Sequence, residues 1–180
     1  MRVIGVDPGS ITTGFGILDG DASAPAYVAS GVVRAKPSEP AAQRLHRIFV
    51  RLRQLLAEYR PQAMSLEQSY VATNVQSALR LGEARAAALL AAVEAGLALF
   101  EYPPSRVKLA VAGNGAADKS AVQVMVRRML KLDAAVGLTD DAADALALAL
   151  CHFCFARIPV EGRPGRGKRR GKPITLRNGK

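Results

Sequence analysis

The first third of the chain carries short apolar runs separated by turns, a pattern typical of strands. The runs at 2–7, 13–18 and 27–34 predict three strands that form an antiparallel meander. The first run ends on Asp7, and the turn Pro8-Gly9-Ser10 follows at once.

Helical spacing begins after a polar, proline-containing loop. The apolar residues then fall on one helical face: Leu45, Ile48, Phe49, Leu52, Leu55, Leu56 and Tyr59, with Pro61 after the end. A fourth strand ends at Glu67, a long alanine-rich helix covers about 74–97, and a fifth strand covers about 99–102.

Three more helices are expected in the last part of the chain. One is opened by Pro103-Pro104-Ser105, the second is capped by Asp118, and the last covers about 141–155. A meander followed by alternating strands and helices predicts an α/β fold, with a mixed five-stranded sheet sandwiched by helices.

The positive charge is concentrated at the C-terminal end. Of the 25 basic and 15 acidic residues, nine basic residues and one acid lie in 157–180, which leaves sixteen and fourteen, a net charge of +2, in 1–156. We therefore expect one folded domain at 1–156 and a basic, disordered tail at 157–180. Such a tail suits phosphate backbones, or serves only as a solubility appendage.

Cysteine content and hydropathy predict a cytoplasmic protein. Cys151 and Cys154 are the only cysteines, and no signal-peptide core or spanning segment is evident. The segment Cys151-His152-Phe153-Cys154 continues a helical apolar pattern, so core packing is favoured over a zinc site, which needs about four ligands.

Four acids stand at strand ends and at a helix start: Asp7, Glu67, Asp141 and Asp144. Carboxylates brought together repel one another, and divalent cations relieve that repulsion. Magnesium prefers hard oxygen ligands, so the set predicts a two-metal site.

Three other acids, Asp19, Asp21 and Asp133, are interpreted as solvated loop residues. Any of Thr139, Asp140 and Asp141 could cap the last helix.

Five motifs in order carry a family resemblance. They are Asp7-Pro8-Gly9-Ser10 with Thr13-Gly14-Phe15-Gly16, Leu66-Glu67-Gln68, Ser77-Ala78-Leu79, Gly82-Glu83-Ala84-Arg85, and Asp141-Ala142-Ala143-Asp144-Ala145-Leu146. At this spacing residues 1–156 closely resemble the RuvC family of Holliday-junction resolvases. The resemblance implies an RNase-H-like nuclease domain and a homodimer. It also implies paired, metal-dependent nicks in four-way DNA junctions, in recombination and repair, leaving 5′-phosphate and 3′-hydroxyl ends.

The resemblance also implies cofactors, partners and site residues. Two Mg²⁺ ions would be held by Asp7, Glu67, Asp141 and Asp144, with Mn²⁺ as a substitute, and RuvA and RuvB would cooperate. The family spacing selects Asp141 as the third acid and leaves Asp140 as the cap. Lys119 and Lys108 match lysines near the scissile phosphate, and Tyr70 matches an aromatic wedge. The residues predicted to bind DNA are Tyr70, Asn74, Arg80, Arg85, Lys108 and Lys119.

The long alanine-rich helix has a surface of small residues, which permits close approach of a second helix. We place a two-fold interface there, near Leu81, Arg85 and Leu89. Three alternatives remain. A sugar-kinase-like phosphotransferase needs about twice this length, a non-catalytic junction-binding protein would not need all four acids, and a YqgF-type nuclease fits the later motifs less well.

Overall fold

The structure contains the five strands that the apolar runs predict. The computed structural model describes residues 1–68, 75–133 and 135–155. Its strands are β1 (Val3–Asp7), β2 (Thr12–Asp19), β3 (Ala26–Arg34), β4 (Ala63–Glu67) and β5 (Ala98–Tyr102). The strand order is β3-β2-β1-β4-β5, with β1 to β3 antiparallel and β4 and β5 parallel to β1. The predicted mixed sheet is confirmed.

Helices cover both faces of this sheet. They are α1 (Ala41–Tyr59), α2 (Val75–Glu94), α3 (Pro104–Ala112), α4 (Lys119–Met129) and α5 (Asp140–Phe155). One hydrophobic core lies between the sheet and the pair α1 and α2, and a second lies beneath α3, α4 and α5. The predicted sandwich is therefore present. The proposed boundary at 156 and the tail lie outside the described residues.

The apolar face of α1 packs as its spacing predicts. Ile48, Leu52, Leu55 and Leu56 are buried against the sheet. The helix ends at Arg60, which adopts a left-handed conformation with φ 48° and donates its N–H to the Leu56 carbonyl. Pro61 then cannot continue the helix, so the chain turns into β4.

Helix α5 lies directly against the backbone of the central strands. A Cβ atom at Gly5 would stand 1.9 Å from the carbonyl oxygen of Ala145, and one at Gly14 would stand 2.0 Å from that of Asp141. These positions on β1 and β2 therefore require glycine. The close approach places the first turn of α5 beside the end of β1.

The Cys151-His152-Phe153-Cys154 segment packs into the second core, as predicted. His152 is fully buried, and a 2.9 Å hydrogen bond joins its Nδ1 to the Tyr102 hydroxyl. Burial raises the pKa of the Cys151 thiol to about 12, so that group stays neutral. No described helix is long and apolar enough to cross a membrane.

Candidate active site

Asp7 lies at the carboxyl end of β1, in the middle of the sheet. Burial is the main cause that raises its pKa, to about 7, and the nearby carboxylates of Asp144, Glu67 and Asp141 raise it further. Lys119 acts in the opposite direction. An acid surrounded in this way holds a proton near neutral pH unless a cation offsets the repulsion.

Glu67 ends the neighbouring parallel strand, so its carboxylate is carried to the same edge of the sheet as Asp7. The pairing of Val6 with Leu66 fixes this alignment. Burial and then the charge of Asp144 raise the pKa of Glu67, and the ammonium of Lys108 on α3 lowers it. The carboxylates at the ends of these two neighbouring strands therefore lie at the same site.

Helix α5 supplies Asp141 in its first turn and Asp144 one turn later. The cap differs from the prediction. Thr139, not Asp140, caps the helix, since its hydroxyl accepts the Ala142 N–H at 3.4 Å and its carbonyl accepts the Ala143 N–H at 2.9 Å. Thr139 stands one residue before the helix, where a side-chain oxygen reaches the free N–H groups. Asp140 is already helical, and its side chain is 70% exposed.

Lys119 is placed by a second helix cap. Asp118 caps α4 by accepting the N–H of Ala121 at 2.7 Å, as predicted, and Lys119 is the first residue of that helix. Its Nζ lies 2.9 Å from Asp144 and 3.7 Å from Asp140. A hydrogen bond to Asp144 raises the pKa of Lys119, so the group stays charged.

The donors suit a hard divalent cation. Carboxylate oxygens are what magnesium prefers. Burial, and then the charges of three neighbouring carboxylates, raise the pKa of Asp7, and a bound cation would supply the positive charge that offsets both effects. Across the described ranges, no three acidic, histidine or cysteine side chains already form a metal-binding group. The ammonium of Lys119, in contact with Asp144, stands in for part of the missing charge.

A cavity of about 180 Å³ opens beside the two strand-end acids. It is lined by Asp7, Pro8, Glu67, Gln68, Leu81, Arg85 and Pro104. A larger cavity of about 740 Å³, between β3 and α1, contains none of the four carboxylates. The small cavity is the one connected with the predicted chemistry.

Comparison with known proteins decides the family. The profile of the family described as "Crossover junction endodeoxyribonuclease RuvC" matches residues 3–152. This chain belongs to the RuvC family. A protein of that name from Alkalilimnicola ehrlichii is 50% identical over 84% of this chain and 90% of its own length. One from Myxococcus xanthus is 46% identical over 98% and 92%.

A solved structure of the family agrees with the fold. "T. thermophilus RuvC in complex with Holliday junction substrate" superimposes with a TM-score of 0.82 at 39% identity, covering 87% of this chain and 95% of that one. The yeast mitochondrial resolvase Ydc2, at 14% identity and a TM-score of 0.59, shares the fold alone. The prediction of an RNase-H-like fold is confirmed.

The predicted DNA-binding residues are distributed unevenly around this RuvC-family site. Lys108 acts electrostatically on Glu67, and Lys119 contacts Asp144. Arg80 is exposed on α2. Tyr70 and Asn74 lie outside the described residues.

The side chain of Arg85 is only 13% exposed, and its guanidinium is held by two partners. It donates to the Glu67 carbonyl at 2.6 Å and pairs with Glu101 at 2.5 Å. Sequence reasoning did not identify Glu101, because an acid on an edge strand has no local pattern that distinguishes it. Only its place in the sheet, opposite Leu66, brings it to the site.

Proposed function

We propose that this protein resolves Holliday junctions by paired, symmetric nicks, through metal-dependent hydrolysis that leaves 5′-phosphate and 3′-hydroxyl ends. The observation that carries the proposal is the position of Asp7 and Glu67 at the carboxyl ends of two paired strands. The N-terminal turns of α5, which carry Asp141 and Asp144, pack against the neighbouring strand β2. The family relatives named crossover junction endodeoxyribonucleases support the substrate class. The related T. thermophilus protein was solved with a Holliday junction.

Four carboxylates would hold the metal. In this proposal Asp7, Glu67, Asp141 and Asp144 would hold two Mg²⁺ ions, with Mn²⁺ as a substitute. When bound, the ions supply an activated water and stabilisation of the leaving oxygen. Asp7 is the residue we expect to be shared, because the charges of all three other acids act on it.

Two lysines complete the proposed chemistry. Lys119 has its ammonium on Asp144, and Lys108 stands near Glu67, so both carry positive charge to the edge of the acid cluster. A fixed cation there would stabilise the charge that develops on the scissile phosphate. We therefore propose Lys119 as a catalytic residue, and we expect both lysines to contact DNA.

The junction itself would be bound by residues around the site. Arg80 is an exposed cation on α2, suited to a phosphate contact. Tyr70 is proposed as a wedge that stacks on a base near the junction centre, and Asn74 as a phosphate contact. Arg85 was predicted for the same role, although its present partners suggest another one.

A homodimer would bring two such sites to opposed strands. Helix α2 exposes an apolar stripe along one face, with Leu79 and Leu90 each 62% exposed and Val93 65% exposed. Beside it, a groove of about 330 Å³ opens between α1 and α2 and includes Phe49 and Leu90. A second copy covering this face would bury it.

The structure gives other contacts to the three residues that were predicted near the interface. Leu81 and Arg85 line the small cavity beside Asp7, and Leu89 packs partly against the first core. The stripe of Leu79, Leu90 and Val93 is thus the better candidate interface. Sedimentation that shows only monomer at micromolar concentration would reject the dimer.

The cellular setting follows from the substrate. We propose a cytoplasmic protein that acts with RuvA and RuvB in recombination and repair. The basic segment 157–180 would add a phosphate contact without sequence reading.

Nicking of a synthetic four-way junction tests the proposal. With Mg²⁺ we expect two symmetric nicks on opposed strands, no cutting of a linear duplex of the same sequence, and no product with chelator. Ligase should reseal the nicked arms, because the ends are a 5′-phosphate and a 3′-hydroxyl. Equal cutting of the linear duplex would reject the resolvase assignment.

A further inference from the structure

Arg85 joins three elements at the edge of the candidate active site. It lies on α2 and is only 13% exposed. One guanidinium nitrogen donates to the backbone carbonyl of Glu67, the last residue of β4, at 2.6 Å. The other contacts the carboxylate of Glu101 on β5 at 2.5 Å.

These two contacts fix the end of β4. Glu67 is aligned with Tyr102 in the sheet, and the next residue, Gln68, donates its N–H to the Tyr102 carbonyl at 2.8 Å. Glu67 is the last residue of β4, so Arg85 holds the point where that strand ends. The planar fork of arginine suits this task, since it can hold a carbonyl and a carboxylate at once.

We infer that Arg85 and Glu101 are positioning residues that set the carboxylate of Glu67 at the metal site. Arg85 then acts on catalysis through Glu67 and not through a DNA phosphate. This inference rests on the proposed function, in which Glu67 is a metal ligand.

The contrast with Arg80 on the same helix supports this assignment. Arg80 is exposed, as a phosphate contact requires, whereas the charge of Arg85 is already neutralised by Glu101. To bind DNA, Arg85 would have to leave both partners and abandon the Glu67 carbonyl. Residues that orient metal ligands in this way commonly change metal affinity or activity about 10–100-fold when they are replaced.

Glu101→Gln separates the two roles because they predict different results. If Arg85 positions Glu67, we expect the Mn²⁺ dissociation constant to rise about tenfold. The Mg²⁺ concentration for half-maximal nicking should rise in parallel. Junction affinity in EDTA should stay within about twofold of wild type. If Arg85 is a phosphate contact, the same change frees the guanidinium, tightens junction binding and leaves Mn²⁺ affinity unchanged.

Variants of Arg85 complete the test. Arg85→Gln should match Glu101→Gln in Mn²⁺ affinity, and the double variant should be no worse than either one, since both changes break one unit. Arg85→Lys keeps the charge and one donor, so it should recover part of the Mn²⁺ affinity. Calorimetry measures the metal, and fluorescence anisotropy measures the junction.

Two matched controls distinguish positioning from general effects. Arg80→Gln should weaken junction binding and leave Mn²⁺ affinity unchanged. Glu94→Gln removes the 3.0 Å ion pair with Arg53 at the other end of α2, and should change neither property. Thermal melting of each variant reports on the fold.

The outcomes separate the inference from the proposed function. Wild-type Mn²⁺ affinity in Arg85→Gln and Glu101→Gln, with lost junction binding in Arg85→Gln, overturns the inference alone. If Arg85→Gln unfolds, Arg85→Lys and Glu101→Gln decide: unchanged Mn²⁺ affinity in both overturns it. A wild-type protein that neither binds Mn²⁺ nor nicks the junction rejects the proposed function instead.

Discussion

The two ends of the β1–β2 hairpin carry acids in opposite electrostatic states. Asp7 ends β1, and burial with three neighbouring carboxylates raises its pKa to about 7. Asp19 ends β2 at the opposite end of the strands. The Arg2 guanidinium lies 2.8 Å from its carboxylate and lowers the pKa of Asp19. The N-terminal ammonium is 3.9 Å away from the same carboxylate.

The difference shows which acid has its negative charge matched by nearby positive charge. Asp19 was interpreted as a solvated loop acid. Its side chain is 41% exposed, so it is solvated, but it ends β2 instead of lying in a loop, and it forms an ion pair with Arg2. Its charge is matched within the chain. The charge of Asp7 is not, and an uncompensated acid cluster is where an external cation contributes most. Strand ends alone do not make a site, because the neighbouring charges determine what each acid can do.

The largest expected effect comes from replacing Asp7, the acid whose charge is not matched within the chain. Asp7→Asn should lower junction nicking by about 10³-fold or more, because the central carboxylate of the proposed metal site is lost. Junction binding in EDTA should remain within about threefold of wild type. Single-turnover nicking and anisotropy measure the two properties, and residual nicking within tenfold of wild type would contradict the assignment of Asp7.

Variants of two neighbouring acids on α5 test which of them belongs to the carboxylate cluster. Asp141→Asn should lower nicking about 10–100-fold, because Asp141 acts on Asp7. Asp140→Asn should stay within about threefold of wild type, because its side chain is 70% exposed. If Asp140→Asn is the inactive variant, the choice between the two neighbours is wrong.

Lys119 tests whether an internal cation occupies part of the site. Lys119→Met removes the ammonium that lies 2.9 Å from Asp144. Mn²⁺ affinity should rise about threefold or more by calorimetry, because the carboxylates lose a competing cation. The single-turnover rate should fall about 10²-fold, because a donor near the developing charge is lost. Weaker Mn²⁺ binding would show that Lys119 supports the metal instead of competing with it.

The pH dependence of stability should differ in sign between the two ends. The folded-state pKa of Asp7 is raised from 3.8 to about 7, so in EDTA its ionisation costs stability as the pH rises through that window. We expect the Tm of the metal-free protein to fall by about 3–6 °C between pH 5 and pH 8, and Asp7→Asn to reduce that fall. A wild-type Tm that rises over this range would contradict the raised pKa.

The smallest expected effect comes from replacing Asp19, the acid that is paired with Arg2. Asp19→Asn should cost about 1 kcal/mol or less by urea denaturation, because both partners of the Arg2 pair are more than a third exposed. The pKa of Asp19 is lowered, so its contribution is present at neutral pH and lost only as the pH falls below about 4. Nicking should be unchanged, and a nicking defect would mean that both hairpin ends serve the site.

The sequence predicted most of the fold because local patterns carry it. Alternating apolar runs fixed the strands, and helical spacing fixed the buried face of α1. Strand-end positions identified Asp7 and Glu67 as neighbours, since parallel strands carry their carboxyl ends to one edge. The motif spacing identified the family, which the comparisons confirm.

Details that depend on distant neighbours were not predicted. Thr139 caps α5 in place of Asp140, because the helix already begins at Asp140. The partnership of Arg85 with Glu101 joins residues on different elements, with no motif in common. Leu81 and Arg85 line the cavity beside Asp7, a contact that their spacing along α2 did not indicate.

The sequence by itself determined the strands, the helices and the presence of four acids at their ends, because backbone preferences and apolar spacing act over a few residues. The tertiary structure alone decided which charges are matched. Asp7 and Asp19 belong to the same hairpin, and only their surroundings in space separate a paired acid from one that needs a cation. Burial and electrostatic coupling depend on distances between residues far apart in the chain.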